Sequence, residues 1–280
     1  MHTGFRSGLA ALLMLATATP AAAQVSGDIN ISPKRLVFDG ASRATTVFIF
    51  NRGTAPASYR IDLIDRAMTE DGQIQAVDEL AKNSANAALI AKLKSSASMI
   101  QYTPRRVTIA PGGTQTVRLR LLRPTELADG EYRTTLTVST LPPEDVGLTA
   151  EQAVQTEKDQ LAVKVVSLFG VSIPVIVRQG THDATATLQE PTLTGSKLRF
   201  VITRQGTGSV YGNIEVHRDK LDGAVIGVVK GIGVYGEIDR REMEIPLDAA
   251  VAVDAPLFLV YRDDDAEPGK IIASERIARK

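Results

Sequence analysis

Short stretches in which apolar and polar residues alternate at period two recur along most of this chain, and that pattern commits it to β-strands. Val47 and Ile49 share one parity, with Thr46 on the other. Tyr59, Ile61 and Leu63 alternate with Arg60 and Asp62, and Val117, Leu119 and Leu121 with Arg118 and Arg120. Val107 and Ile109 run into the turn Pro111-Gly112-Gly113. The stretch 131–140 is rich in Thr and Val, and 161–178 is long, apolar and β-branched. The alternation resumes at Leu198, Phe200 and Ile202, at Ile214 and Val216, at Met243, Ile245 and Leu247, and at Leu257, Leu259 and Tyr261. A last strand is expected around 271–277. Many short strands broken by turns predict an all-β protein, a sandwich or a barrel.

One segment departs from the pattern. Residues 76–94 are rich in Ala, Leu and Lys, and Val77, Leu80 and Ala81 start a helical stripe that Ser84 interrupts. A short helical or mobile insert in a loop is expected there. The polar run Gln179-Gly180-Thr181-His182-Asp183 marks a boundary between residues 24–180 and 181–280. The second part, with about seven strands, fits an immunoglobulin-like sandwich.

Residues 1–23 read as a secretory signal peptide: Arg6, an apolar run from Leu9 to Ala18, then Pro20 and Ala21-Ala22-Ala23. That run is too short to cross a bilayer, which takes about 20 residues. Cleavage after Ala23 is expected to leave a soluble, exported protein.

The composition removes most chemistry. There is no Cys, so disulfides, thiolate nucleophiles and cysteine-based zinc sites are excluded together. His2, His182 and His217 are the only imidazoles, and the first lies in the leader. Lys and Arg total 32 against 32 Asp and Glu, which gives no electrostatic reason to bind nucleic acid. Gly231, Gly233 and Gly236 have the spacing of a dinucleotide fingerprint, but the residues that follow read as a strand and the fingerprint needs a helix. Asp263-Asp264-Asp265 lacks the ligand spacing of a calcium loop. No catalytic set, cofactor, metal or small-molecule substrate is expected.

The order of segments resembles the periplasmic pilus-assembly chaperones. SPKRLVFDG (32–40) is similar to that family's opening strand, and TTVFIFNRGTAPASYRI (45–61) to its second and third strands, with Asn51 before the turn. YTPRRVTIAPGGTQTVRLRL (102–121) resembles its strand–turn–strand stretch, ADGEYRTTLTVSTLPP (128–143) the strand ending in a Pro pair, and VSLFGVSIPVIVRQ (166–179) the long last strand of the first domain. The second half matches more loosely.

The resemblance implies two immunoglobulin-like sandwiches set at an angle and no catalysis. Its partners would be pilus or fibre subunits, captured in the periplasm by lending a strand to an incomplete sheet, and an outer-membrane usher. In 161–177 the residues Leu161, Val163, Val165, Phe169, Val171 and Ile173 share one parity. That row either faces the partner or faces its own core; the resemblance favours the partner for part of it. Arg35 falls where the family has an anchor for the subunit's terminal carboxylate, a role suited to a bidentate guanidinium. The family's second anchor, a Lys, has no counterpart: its position holds Pro174 or Ser167, and Lys164, Arg105, Arg106 and Arg118 are the alternatives. Arg178 matches the Arg of the family's interdomain charge cluster, with Asp263 or Asp264 as its second-domain partner and Thr140 where the family has a Glu. The competing class is a secreted immunoglobulin-like structural or adhesive component of the fibre. Such a subunit would carry a donor segment before its first strand, where this chain has only residues 24–29.

Overall fold

The computed structural model describes residues 29–142, 169–248 and 256–277. Its first half comprises β1 (Ile29–Ser32), β2 (Leu36–Phe38), β3 (Ala44–Asn51) and β4 (Ala57–Ile64). A hairpin of β5 (Arg66–Met68) and β6 (Ile74–Ala76) follows, then the helices α1 (Val77–Leu80) and α2 (Ala87–Lys92). β7 (Ile100–Thr103), β8 (Arg106–Ile109), β9 (Thr114–Leu121), β10 (Gly130–Thr140) and β11 (Gly170–Gln179) complete it. The second half comprises β12 (Ala184–Thr194), β13 (Lys197–Gly206), β14 (Val210–Arg218), β15 (Val225–Val234), β16 (Arg240–Pro246), β17 (Leu257–Asp263) and β18 (Ile271–Ile277).

The strands form two immunoglobulin-like sandwiches. In the first, sheet β1-β3-β9-β7 faces sheet β2-β11-β10-β4-β8; in the second, β12-β13-β16 faces β15-β14-β17-β18. The inward parity of each strand supplies the core: Val47 and Ile49, Tyr59 and Ile61, Val117 and Leu119, Leu136 and Val138 all bury against one another. Asn51 is buried at the end of β3. Its amide donates to the Ala55 and Ile109 carbonyls at 2.9 and 3.0 Å and its Oδ1 accepts from Gly53 N–H, which pins two turns together.

The second core is not made from the second half alone. Met68 and Ile176 are buried in it, and Val37 and Leu89 pack against it. The outer face of β11 therefore belongs to the neighbouring sandwich at this level. The hairpin and helices form an ordered bridge rather than a mobile loop: Leu80 is buried, and Glu242 N–H donates to the Glu70 carbonyl at 2.7 Å. Gly231 and Gly233 lie within β15 and Gly236 in the turn that follows it, with no helix after the glycines.

Candidate functional site

β11 lies between β10 and β2, and its two edges differ. Thr140 N–H donates to the Phe169 carbonyl at 2.8 Å, which sets the phase of the antiparallel ladder. Phe169, Val171, Ile173 and Val175 thus turn their backbone groups to β10, and Gly170, Ser172 and Pro174 turn theirs the other way. On that other side β2 pairs only with Val175, Ile176 and Val177. From Gly170 to Pro174 no described strand completes the edge. Pro174, having no N–H, leaves no orphan donor there.

The side chains of this strand divide along its length. Phe169 is 45% exposed, Val171 is half-buried against the first core, and Ile173 is 2% exposed within it. The expectation that Ile173 presents itself to a partner is therefore corrected: the pleat turns its side chain into its own sandwich, together with Val175 and Val177. Leu161, Val163 and Val165 lie outside the described residues. On the opposite face the Ser172 and Thr137 hydroxyls are 2.9 Å apart, as befits a non-hydrogen-bonded pair.

Where β11 ends, charged side chains converge from both sandwiches. Asp265, in the turn after β17, spans two guanidinium groups. Its Oδ1 is 2.7 Å from Arg35 Nη1, and its Oδ2 accepts from Arg178 Nη2. Arg178 Nε donates to Glu131 Oε2 at 3.2 Å, and Asp39 stands 3.9 Å from Arg178 Nη1. Arg35 lies over the Tyr211 ring at 4.5 Å, with a side chain only 9% exposed. Burial alone would push the Asp265 carboxyl up, but the two guanidinium groups outweigh it and hold it below the ordinary aspartate value. Burial likewise works against the Arg178 charge, and Asp265 and Glu131 more than compensate.

This geometry corrects two readings. Asp263 is not in the cluster: its carboxylate accepts from the Asp265 and Glu267 N–H groups and closes the turn. Arg35, the expected carboxylate anchor, is held here by an internal carboxylate, Asp265. Glu131, rather than any residue at Thr140, supplies the first-sandwich acid. The other cations considered as anchors lie elsewhere or outside the structure. Arg105 and Arg118 line a groove of about 990 Å³ along the sheet of β3, β7 and β9, Arg106 is exposed on β8, and Lys164 is not described.

A second junction had no sequence signal beyond two charges on a strand. Arg133 and Glu237 form an ion pair whose side chains are 4% and 2% exposed. Glu237 Oε1 also accepts from Met68 N–H at 2.8 Å, Arg133 Nη2 donates to the Arg66 carbonyl at 2.8 Å, and the guanidinium sits 4.1 Å from the Tyr235 ring centre. Glu131 and Arg133 stand two apart on β10, on the face opposite Leu136 and Val138, where a strand with one solvated side would expose them. Their burial is what reveals that this face is covered.

No family model matches the chain, and no curated protein matches it in sequence. Among solved structures it is similar to periplasmic pilus chaperones. It is 16% identical to a chain of the CsuC–CsuE chaperone–tip adhesion subunit pre-assembly complex of Acinetobacter baumannii, covering 89% of this chain and 97% of that one with a TM-score of 0.45. It is 11% identical to a chain of the Salmonella enterica SafA pilin–SafB chaperone complex, covering 91% and 97% with a TM-score of 0.42. The Pseudomonas aeruginosa CupB2 chaperone is 13% identical, with 88% and 98% covered and a TM-score of 0.41.

Proposed function

We propose that this chain is a non-catalytic periplasmic chaperone. It captures pilus or surface-fibre subunits by offering the open edge of β11, and passes them to an outer-membrane usher. The observation that carries the reading is the unpaired edge from Gly170 to Pro174, which follows directly on an exposed Phe169 and an apolar run in the sequence. A bare, apolar strand edge invites association, and proteins ordinarily shield such edges. Here the edge is left open at the side of the interdomain ion-pair network. Backbone groups of Gly170, Ser172 and Pro174 would pair with a subunit strand, while side chains on alternate positions fill its groove. On this reading residues 1–23 are a leader removed on export, and the working protein is the two sandwiches, 24–180 and 181–280.

The test exploits the phase of the ladder. Ser172→Pro removes an N–H that points to the open edge and leaves every backbone bond to β10 in place. The variant is expected to fold and to lose co-purification of the fibre subunit from periplasm in which both are expressed. Undiminished co-purification by a folded Ser172→Pro protein would overturn the reading.

A further inference from the structure

The two ion-pair junctions between the sandwiches differ in construction. One, around Asp265, joins Arg35 just before β2, together with β10 and β11, to the turn after β17. The other, around Glu237, joins β10 to the turn after β15, with the β5–β6 hairpin as its third member. We infer that the hairpin and the Arg133–Glu237 pair act as an orientation lock, a strap from the first sandwich that removes the rotational freedom a single junction would leave.

The argument is geometric. The first junction crosses the boundary from Arg178 on β11 and the second from Arg133 on β10. Arg178 stands opposite Glu131 in the ladder, which is two residues, about 7 Å, along the strand from Arg133. Two directional contacts at that separation define an angle between two bodies, where one contact alone permits pivoting. The strap then lengthens the lever. Glu242 N–H in β16 donates to the Glu70 carbonyl at 2.7 Å, and Lys92 Nζ at the end of α2 is 2.8 Å from Asp239. Met68 enters the second core and Leu89 packs against it. Apolar contact by itself is non-directional and tolerates sliding. Glu237 Oε1 is directional: it takes a backbone N–H from the strap and a guanidinium N–H from β10 at once. Arg133 in turn reaches the strap carbonyl of Arg66 through the same Nη2. One acid and one base thereby fasten three segments. A buried pair of this kind stabilises little against an apolar substitute, and its use is in fixing one arrangement. Arg133 and Glu237 are accordingly positioning residues, and the inference holds whatever the open edge of β11 binds.

The chain has no Cys, so cysteines introduced at exposed Thr46 on β3 and Lys230 on β15 take spin labels selectively. Pulsed dipolar spectroscopy on the full labelled chain is expected to give one narrow distance. Glu237→Gln retains the acceptor for Met68 N–H and removes the charge facing Arg133. It is expected to shift and broaden the distance distribution while amide-exchange protection of β9 and β14 persists. Arg133→Lys keeps the charge but replaces the fork with a point donor. It is expected to broaden the distribution in the same way, and it decides the matter should Glu237→Gln fail to fold. A parental distance distribution in the folded variants overturns the inference. So does a parental distribution with loss of protection confined to the hairpin, since the pair would then anchor the hairpin and nothing more.

Discussion

Phe169 and Ile173 share a parity on one strand and meet opposite fates. At Ile173 the facing sheet closes over the pleat; at Phe169, just before β11 begins, it does not. The two therefore make a clean contrast in mutation. Ile173→Ala removes buried methylenes and is expected to cost about 2–5 kcal/mol in urea unfolding. Phe169→Glu changes an exposed side chain and is expected to stay within about 0.5 kcal/mol of the parent while abolishing subunit capture. Destabilisation by Phe169→Glu as large as that by Ile173→Ala would put its side chain in the core and contradict the assignment.

Asp263 and Asp265 make a similar contrast, two positions apart in one acidic turn. The first satisfies backbone donors, and the second is held between Arg35 and Arg178. Asp265 has its folded-state pKa depressed, so its contribution to stability is present above the ordinary aspartate value of about 3.9 and is lost as pH falls through the lower folded value. Removing the charge with Asp265→Asn leaves two buried cations short of a partner and is expected to cost about 3–5 kcal/mol at neutral pH. The gap between parent and variant should narrow below about pH 4, as the parent's own carboxyl protonates. A gap in urea-unfolding stability that is the same at pH 7 and in acid would show that the carboxylate charge is not what matters.

Among the elements, those with a clean two-residue period were legible in the sequence, because one face of each meets a core and the other meets water. β3, β4 and β9 are of this kind, whereas β13 and β17 also bury Val201 and Val260 on the outer parity. β12 was not legible: ATATLQEPTLT places Ala and Leu against Thr, carries Pro191, and shifts register between Gln189 and Thr192. The β5–β6 hairpin was hidden because three-residue strands carry no measurable period. At 76–94 the sequence supports either a short helix or a mobile insert, because Ser84 breaks the stripe; the structure has two short helices there, with the 3-10 turn Ser84–Asn86 between them. For the site, Arg178 was marked from the resemblance alone. Glu131, Arg133, Glu237 and Asp265 come from distant positions, and a single sequence does not bring such positions together. The open edge was legible only as an apolar row. Which half of that row is core depends on how far the facing sheet covers the pleat: it closes over Ile173 and leaves Phe169 open.

Across the whole molecule the two sandwiches share their cores as well as their charges. Ile176 sits on β11 of the first sandwich and is fully buried in the hydrophobic cluster of the second, beside Met68 from the hairpin. An isolated first sandwich would expose Ile176, lose the cover over Glu131 and Arg133, and leave Arg133 and Arg178 solvated rather than paired across the boundary with Glu237 and Asp265. Separate melting of the halves is thus disfavoured by both terms together. The chain is expected to unfold in one step, and Ile176→Ala, costing about 2–5 kcal/mol, is expected to lower the urea midpoint equally whether followed by probes in β9 or in β14. A midpoint that moves for the second sandwich alone would mean that the first holds its fold without its neighbour, and that the shared residue couples nothing.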